Sequence, residues 1–122
     1  MTVIAILLAG ALGAVARFVV DGNIKRWRST TFPWATVVIN VTGSLVLGML
    51  AGLVISHGAP TGLQAVVGTG FCGGYTTFST ASVETIRLAQ QRHGMLAMAN
   101  AVGSVVASVT ACAAGLALMW AI

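Results

Sequence analysis

From Leu63 to Ser82 the chain reads LQAVVGTGFCGGYTTFSTAS, an uncharged stretch long enough to cross a bilayer yet interrupted by Gly68, Gly70, Gly73 and Gly74. In hydrocarbon each unpaired backbone N–H or C=O costs several kcal/mol, so irregular backbone at membrane depth survives only inside protein or along a polar path. The stretch therefore predicts a membrane helix broken near its middle, at the glycines, and sheltered by other helices. Such broken helices are where ion sites are built.

The rest of the sequence agrees with a membrane setting. Of 122 residues, 57% are hydrophobic and only 7% charged, against roughly 25% charged in a soluble domain. A spanning helix needs about 20 mostly apolar residues, and spans are expected at about 3–20, 34–55, 63–86 and 95–122. They leave room for a single transmembrane domain, 1–122, in an all-α fold with four transmembrane helices. The first span is not read as a cleavable leader, because its basic residues follow the apolar run rather than precede it. Cys72 and Cys112 fall inside spans at no metal or redox spacing and read as small apolar filler.

Charge sets the orientation. Lys25, Arg26, Arg28, Arg87 and Arg92 all belong to the 21–33 and 87–94 loops, with Arg17 near the same end of the first span. The positive-inside rule makes both loops cytoplasmic and both termini external, in the cell (inner) membrane. The net charge of +4 thus faces lipid headgroups, and nucleic acid is not an expected partner. Trp27, Trp34 and Trp120 fit interfacial anchors, while His57 and His93 read as solvated loop residues. Small residues four apart, Ala9 with Gly13, Gly48 with Gly52 and Ala111 with Gly115, allow close helix packing.

The polar residues inside the spans are the candidates for function. Most serines and threonines there can bond back to a carbonyl one turn earlier; the amide of Asn40 cannot satisfy itself that way. Ser104, Ser108 and Cys112 share one helical face, and so do Ser79 and Ser82 just beyond the glycines. Hydroxyl-bearing faces without a carboxylate or lysine make a weakly polar track, suited to a small solute that needs hydrogen bonds but must not be trapped. No serine, cysteine or histidine has a base and an orienting partner within the spans, so an enzyme is not expected. A proton-coupled exporter fits poorly, since both carboxylates sit near helix ends.

The segments GALGAVARF (Gly10 to Phe18), TVVINVTGSLVLG (Thr36 to Gly48) and above all GFCGGYTTFST (Gly70 to Thr80) resemble the CrcB/Fluc family of fluoride channels over essentially the whole chain. That resemblance implies an antiparallel dimer of four-helix subunits conducting fluoride passively out of the cytoplasm, which relieves its toxicity. It implies a structural, untransported sodium ion (Na+) on the central axis, held by the backbone carbonyls of Gly73 and Thr76. It also implies a pore lined by Asn40, Phe78, Ser79, Ser82, Ser104 and Ser108, with Arg17 shaping the cytoplasmic entrance. Fluoride would meet amide and hydroxyl donors and the electropositive edge of Phe78.

One departure stands out. The family pattern usually reads TTFSTF, whereas Thr76 to Ala81 reads TTFSTA, so Ala81 replaces a second pore ring. A chain pairing antiparallel with itself must also insert both ways, which needs balanced loop charge that this chain lacks. Both features suggest one half of a heterodimer with a homologous subunit of opposite topology. The alternative is a non-conducting structural partner subunit.

Overall fold

The computed structural model describes residues 1–28 and 30–122, and those residues form helices and turns with no strand. Helices α1 (Thr2–Trp27), α2 (Trp34–His57) and α6 (Gly94–Ala121) are each long and apolar enough to cross a bilayer. Between α2 and α6 the chain advances in pieces. These are α3 (Thr61–Leu63), a π-helix (Gln64–Cys72), α4 (Gly73–Tyr75) and α5 (Phe78–Gln90).

Local chemistry accounts for the ends. Helix α1 runs past its apolar core to Trp27, so Lys25 and Arg26 sit in its last turn, where cations complement the negative end of the helix dipole. Asp21 pairs with Lys25 at 3.1 Å on its exposed surface, a contact of little energetic weight. The expected 21–33 loop is thus helical up to Trp27; its Ser29 lies outside the described residues. Helix α2 stops at Gly58, left-handed at φ 66°, a conformation that costs glycine nothing. Helix α5 starts behind Thr77, whose hydroxyl accepts the Thr80 N–H at 3.2 Å.

The interruption of the third segment is not at the glycines, and this corrects the sequence-based expectation. Gly58 is the only glycine with positive φ among the described residues, and Gly68, Gly70, Gly73 and Gly74 all lie within helical segments. At Gly70 and Gly74 the missing side chain serves packing instead. A Cβ on Gly74 would collide with the Gly10 carbonyl, and one on Gly70 would come within 2.8 Å of the Ile6 carbonyl. Gly13 in turn admits the Phe71 carbonyl. Glycines on both partners let the π-helix and α4 lie flat against α1, as small residues do between membrane helices.

The chain leaves helical geometry at Thr76 (φ −79°, ψ 160°) and Thr77 (φ −149°, ψ 122°), both extended. Two β-branched residues in a row favour that conformation. A long-range partner then fixes it, as described below.

Helices α2 and α6 form the other tight pair. Gly48 faces the Cys112 carbonyl and Gly115 faces the Leu45 carbonyl, so each helix presses a glycine onto the other's backbone. Gly52 continues the seam beside Met119. His57, at the end of α2, ties this seam off with a ring nitrogen 2.9 Å from the Met119 carbonyl. The small buried core contains Ala35, Thr36, Ile39 and Leu50 of α2, Leu88 of α5, and Ala97 and Asn100 of α6. Much of the remaining apolar surface faces outward, including Leu7, Leu8, Leu12 and Val15 of α1, the distribution a lipid-facing helix requires.

Candidate functional site

A cavity of about 840 Å³ opens between α2, the interrupted third segment and α6. Asn40 and Ser44 of α2 reach it, as do Gly73 and Thr76 beside the interruption, Phe78 and Ser82 of α5, and Ser104 and Ser108 of α6. No charged side chain lines it among the described residues. The wall is mostly apolar carbon studded with hydroxyls and amides, the composition of a path that offers hydrogen bonds without a trap.

Asn40 organises its floor. Its Nδ2 donates to the Thr77 carbonyl at 2.9 Å, and its Oδ1 accepts the Thr77 N–H at 2.8 Å. The Thr77 N–H, which no helix ladder can reach, is thus satisfied, and the Thr77 carbonyl, at the head of the α5 ladder, gains a second donor, so the desolvation penalty of an open N–H is avoided. This pairing also displaces a helical bond. In an unbroken helix the Thr77 N–H would go to the Gly73 carbonyl four residues earlier; here Asn40 takes it. Gly73 is exposed, and a Cβ built on it would meet nothing within 4 Å.

Several hydroxyl protons around the cavity are already engaged. Ser82 donates to the Phe78 carbonyl at 2.9 Å, Thr76 to the Cys72 carbonyl at 2.9 Å and Thr85 to the Ala81 carbonyl at 2.8 Å. All three bond back one turn, as membrane hydroxyls usually do. Ser104 differs: its proton goes to Oδ1 of Asn100 at 3.2 Å.

Most of the residues singled out from sequence converge here, and two do not. Asn40, Gly73, Thr76, Phe78, Ser82, Ser104 and Ser108 all border the cavity. Ser79 is exposed on another side of α5, near the Thr77 hydroxyl. Arg17 is part-buried on α1 and borders neither this cavity nor the smaller one. Phe78 stands at the rim with 85% of its surface exposed, an aromatic ring with almost nothing packed on it.

Among the lining residues that escaped the sequence reading are Asn100 and Thr85. The signal for Asn100 was there: it precedes Ser104 and Ser108 by four and eight residues and so extends their face by one turn. Thr85 follows Ser82 by three and extends the α5 face in the same way.

A second, more polar cavity of about 500 Å³ lies among the end of α1, residues 30–35 and α5, bordered by Lys25, Arg28, Glu84 and Arg87. The Oε1 of Glu84 is buried with no hydrogen-bond partner among the described residues. Glu84, Arg87 and Gln91 recur at helical spacing, well around α5 from Phe78, Ser82 and Thr85. The two cavities therefore occupy different sides of that helix.

Comparison with known proteins places the chain among relatives that match it nearly end to end. Residues 4–116 match the family described as "CrcB-like protein, Camphor Resistance (CrcB)". The chain is 49% identical to "Fluoride-specific ion channel FluC 1" of Leifsonia xyli subsp. xyli, over 95% of its own length and 85% of the relative's. It is 47% identical to "Fluoride-specific ion channel FluC 2" of Cutibacterium acnes, over 97% of each. A relative from Nitrobacter winogradskyi, "Fluoride-specific ion channel FluC", is 42% identical over 96% of this chain and 94% of its own.

Proposed function

The chain belongs to the CrcB-like family, and on that premise we propose that it is an integral membrane subunit of a fluoride channel, not an enzyme. The observation that carries the reading is the cavity between Asn40 and Ser108, walled by hydroxyls, amides and one exposed ring and free of charged side chains among the described residues. Fluoride is small and strongly hydrated, so a path for it must replace water with donors, yet a buried lysine would hold it too long. Ser82, Ser104, Ser108 and Asn40 supply mild partners, and Phe78 offers the positive edge of its ring. Conduction is passive and directed out of the cytoplasm, through the inner membrane, with the basic ends of α1 and α5 inside.

The working unit is an antiparallel dimer. A cavity bearing polar groups would be costly against lipid, and a second subunit covers it. Ser79, outside the cavity of the single chain, and Arg17, at the basic end of α1, then join the pathway as part of that assembly. The partner is a homologous subunit of opposite topology, because the basic residues of this chain sit at one end and Ala81 removes one ring from its own cavity wall.

A structural sodium ion fits the interruption. The carbonyl of Gly73 has lost its helical donor to Asn40, and space around Gly73 is open. The carbonyls of Gly73 and Thr76 would hold the ion, and a hard cation accepts several such oxygens. Bound there, it would neutralise freed backbone dipoles without being transported.

Fluoride and chloride efflux from liposomes tests all of this. The channel is expected to release fluoride and retain chloride, and to lose activity when sodium is removed. Full activity of this chain in the absence of any partner would end the heterodimer; no fluoride release in any assembly would end the channel. Replacing Phe78 with alanine separates a conducting subunit, which loses flux, from a non-conducting scaffold, which leaves its partner's flux intact.

A further inference from the structure

Asn100 is 1% exposed, and each polar atom of its side chain has a defined role. Its Nδ2 donates to Thr85 Oγ1 at 2.7 Å and reaches the Ala81 carbonyl at 3.4 Å. The orientation of the amide follows from its neighbours: the Ala81 carbonyl can only accept, and the Thr85 proton is already committed to that same carbonyl at 2.8 Å. The nitrogen must therefore face α5, which leaves Oδ1 toward Ser104, whose hydroxyl donates to it at 3.2 Å. The chain of bonds runs one way, from Ser104 through Asn100 to Thr85 and the backbone of Ala81.

Resting on the fluoride-channel reading above, we propose that Asn100 is a positioning residue that sets how strongly the cavity holds an anion, by keeping the proton of Ser104 turned away from it. Ser104 borders the cavity but presents lone pairs there, which repel an anion. To donate to fluoride, Ser104 must release Oδ1 of Asn100, and that oxygen, buried at 1% exposure, would then lack a donor and a route to water. Ser108, one turn on, makes no hydrogen bond to an acceptor side chain among the described residues. The α6 face therefore alternates a restrained hydroxyl with a free one. An anion binds less firmly at Ser104 than the chemistry of serine alone would give, and it moves on, which conduction requires.

Replacing Asn100 with leucine keeps the branching and the number of heavy atoms and removes the acceptor. Ser104 can then only bond back to the carbonyl of residue 100, and because that carbonyl keeps its helical N–H donor, the proton can turn to an anion in the cavity without leaving a buried acceptor unsatisfied. In the assembly that conducts, the fluoride concentration giving half-maximal efflux is expected to fall about tenfold in Asn100→Leu, the consequence of one hydrogen bond gained by the bound anion. In Asn100→Leu/Ser104→Ala that gain is expected to disappear, leaving the value of Ser104→Ala alone. A merely structural role for Asn100 would lower the maximal flux and the amount of folded protein without making the effect depend on Ser104. Asn100→Ala, which intrudes on nothing, serves the same comparison if the leucine variant does not assemble. An unchanged or raised half-maximal concentration, or a fall that survives Ser104→Ala, overturns the proposal. Absence of fluoride efflux in the unsubstituted assembly overturns the channel reading instead.

Discussion

Asn40 spends both halves of its amide on one residue, binding the N–H and the C=O of Thr77 at 2.8 and 2.9 Å. In Asn40→Leu the Thr77 N–H loses its partner in a part-buried setting, an orphan that costs about 1–3 kcal/mol, and the Thr77 carbonyl keeps only its α5 donor. A fall of several degrees in thermal midpoint in detergent is expected, together with loss of fluoride efflux, because Phe78 follows Thr77 directly. Asn40→Asp is expected to recover less than the loss, since a carboxylate can accept the Thr77 N–H but cannot donate to its carbonyl. Measuring midpoint and efflux in both variants checks this. Asn40 was legible from sequence as an amide too demanding for its own helix. Its partner was not legible, because Thr77 lies 37 positions away and no periodicity connects them.

Helix–helix approach is set by glycines that meet carbonyls. Gly48 against Cys112 and Gly115 against Leu45 hold α2 on α6 so closely that a single added methyl has no space. Gly48→Ala or Gly115→Ala is expected to cost about 1–3 kcal/mol through overpacking, whereas Gly103→Ala on the same α6, which would meet nothing within 4 Å, should be neutral or slightly stabilising. Comparing the thermal midpoints of these three variants decides whether the seam governs assembly of the fold. The interrupted third segment offers a second test at this scale. Thr77→Val removes the hydroxyl that caps α5 at 3.2 Å from the Thr80 N–H and keeps the extended propensity, so a loss of about 1 kcal/mol is expected. The sequence signalled an unusual segment here through its glycines, but located the interruption at the wrong residues. Glycine permits both a bend and a close contact, and only the position of α1 shows that Gly70 and Gly74 serve contact.

At the scale of the whole chain, the basic residues collect at one end: Lys25 and Arg26 in the last turn of α1, Arg28 beyond it, Arg87 near the end of α5 and Arg92 just after it. Neutralising Lys25, Arg26 and Arg28 together is expected to convert a single orientation into a mixture, read by reporters fused to the C-terminus that are active on opposite sides of the membrane. An unchanged orientation would remove the charge argument for a partner of opposite topology. The sequence by itself determined the membrane setting, the helical class, the uncharged character of the interior and the family, because each depends on composition, period or local motif. The tertiary structure decided where the third segment leaves its helix, that Asn40 closes the gap, that Asn100 bonds Thr85 across to α5, and that Ser79 and Arg17 stand apart from the cavity of the single chain. These outcomes depend on which side chain comes within hydrogen-bond reach of which atom across the fold. That distance is set by how closely glycine faces allow helices to pack, a quantity that no stretch of sequence carries alone.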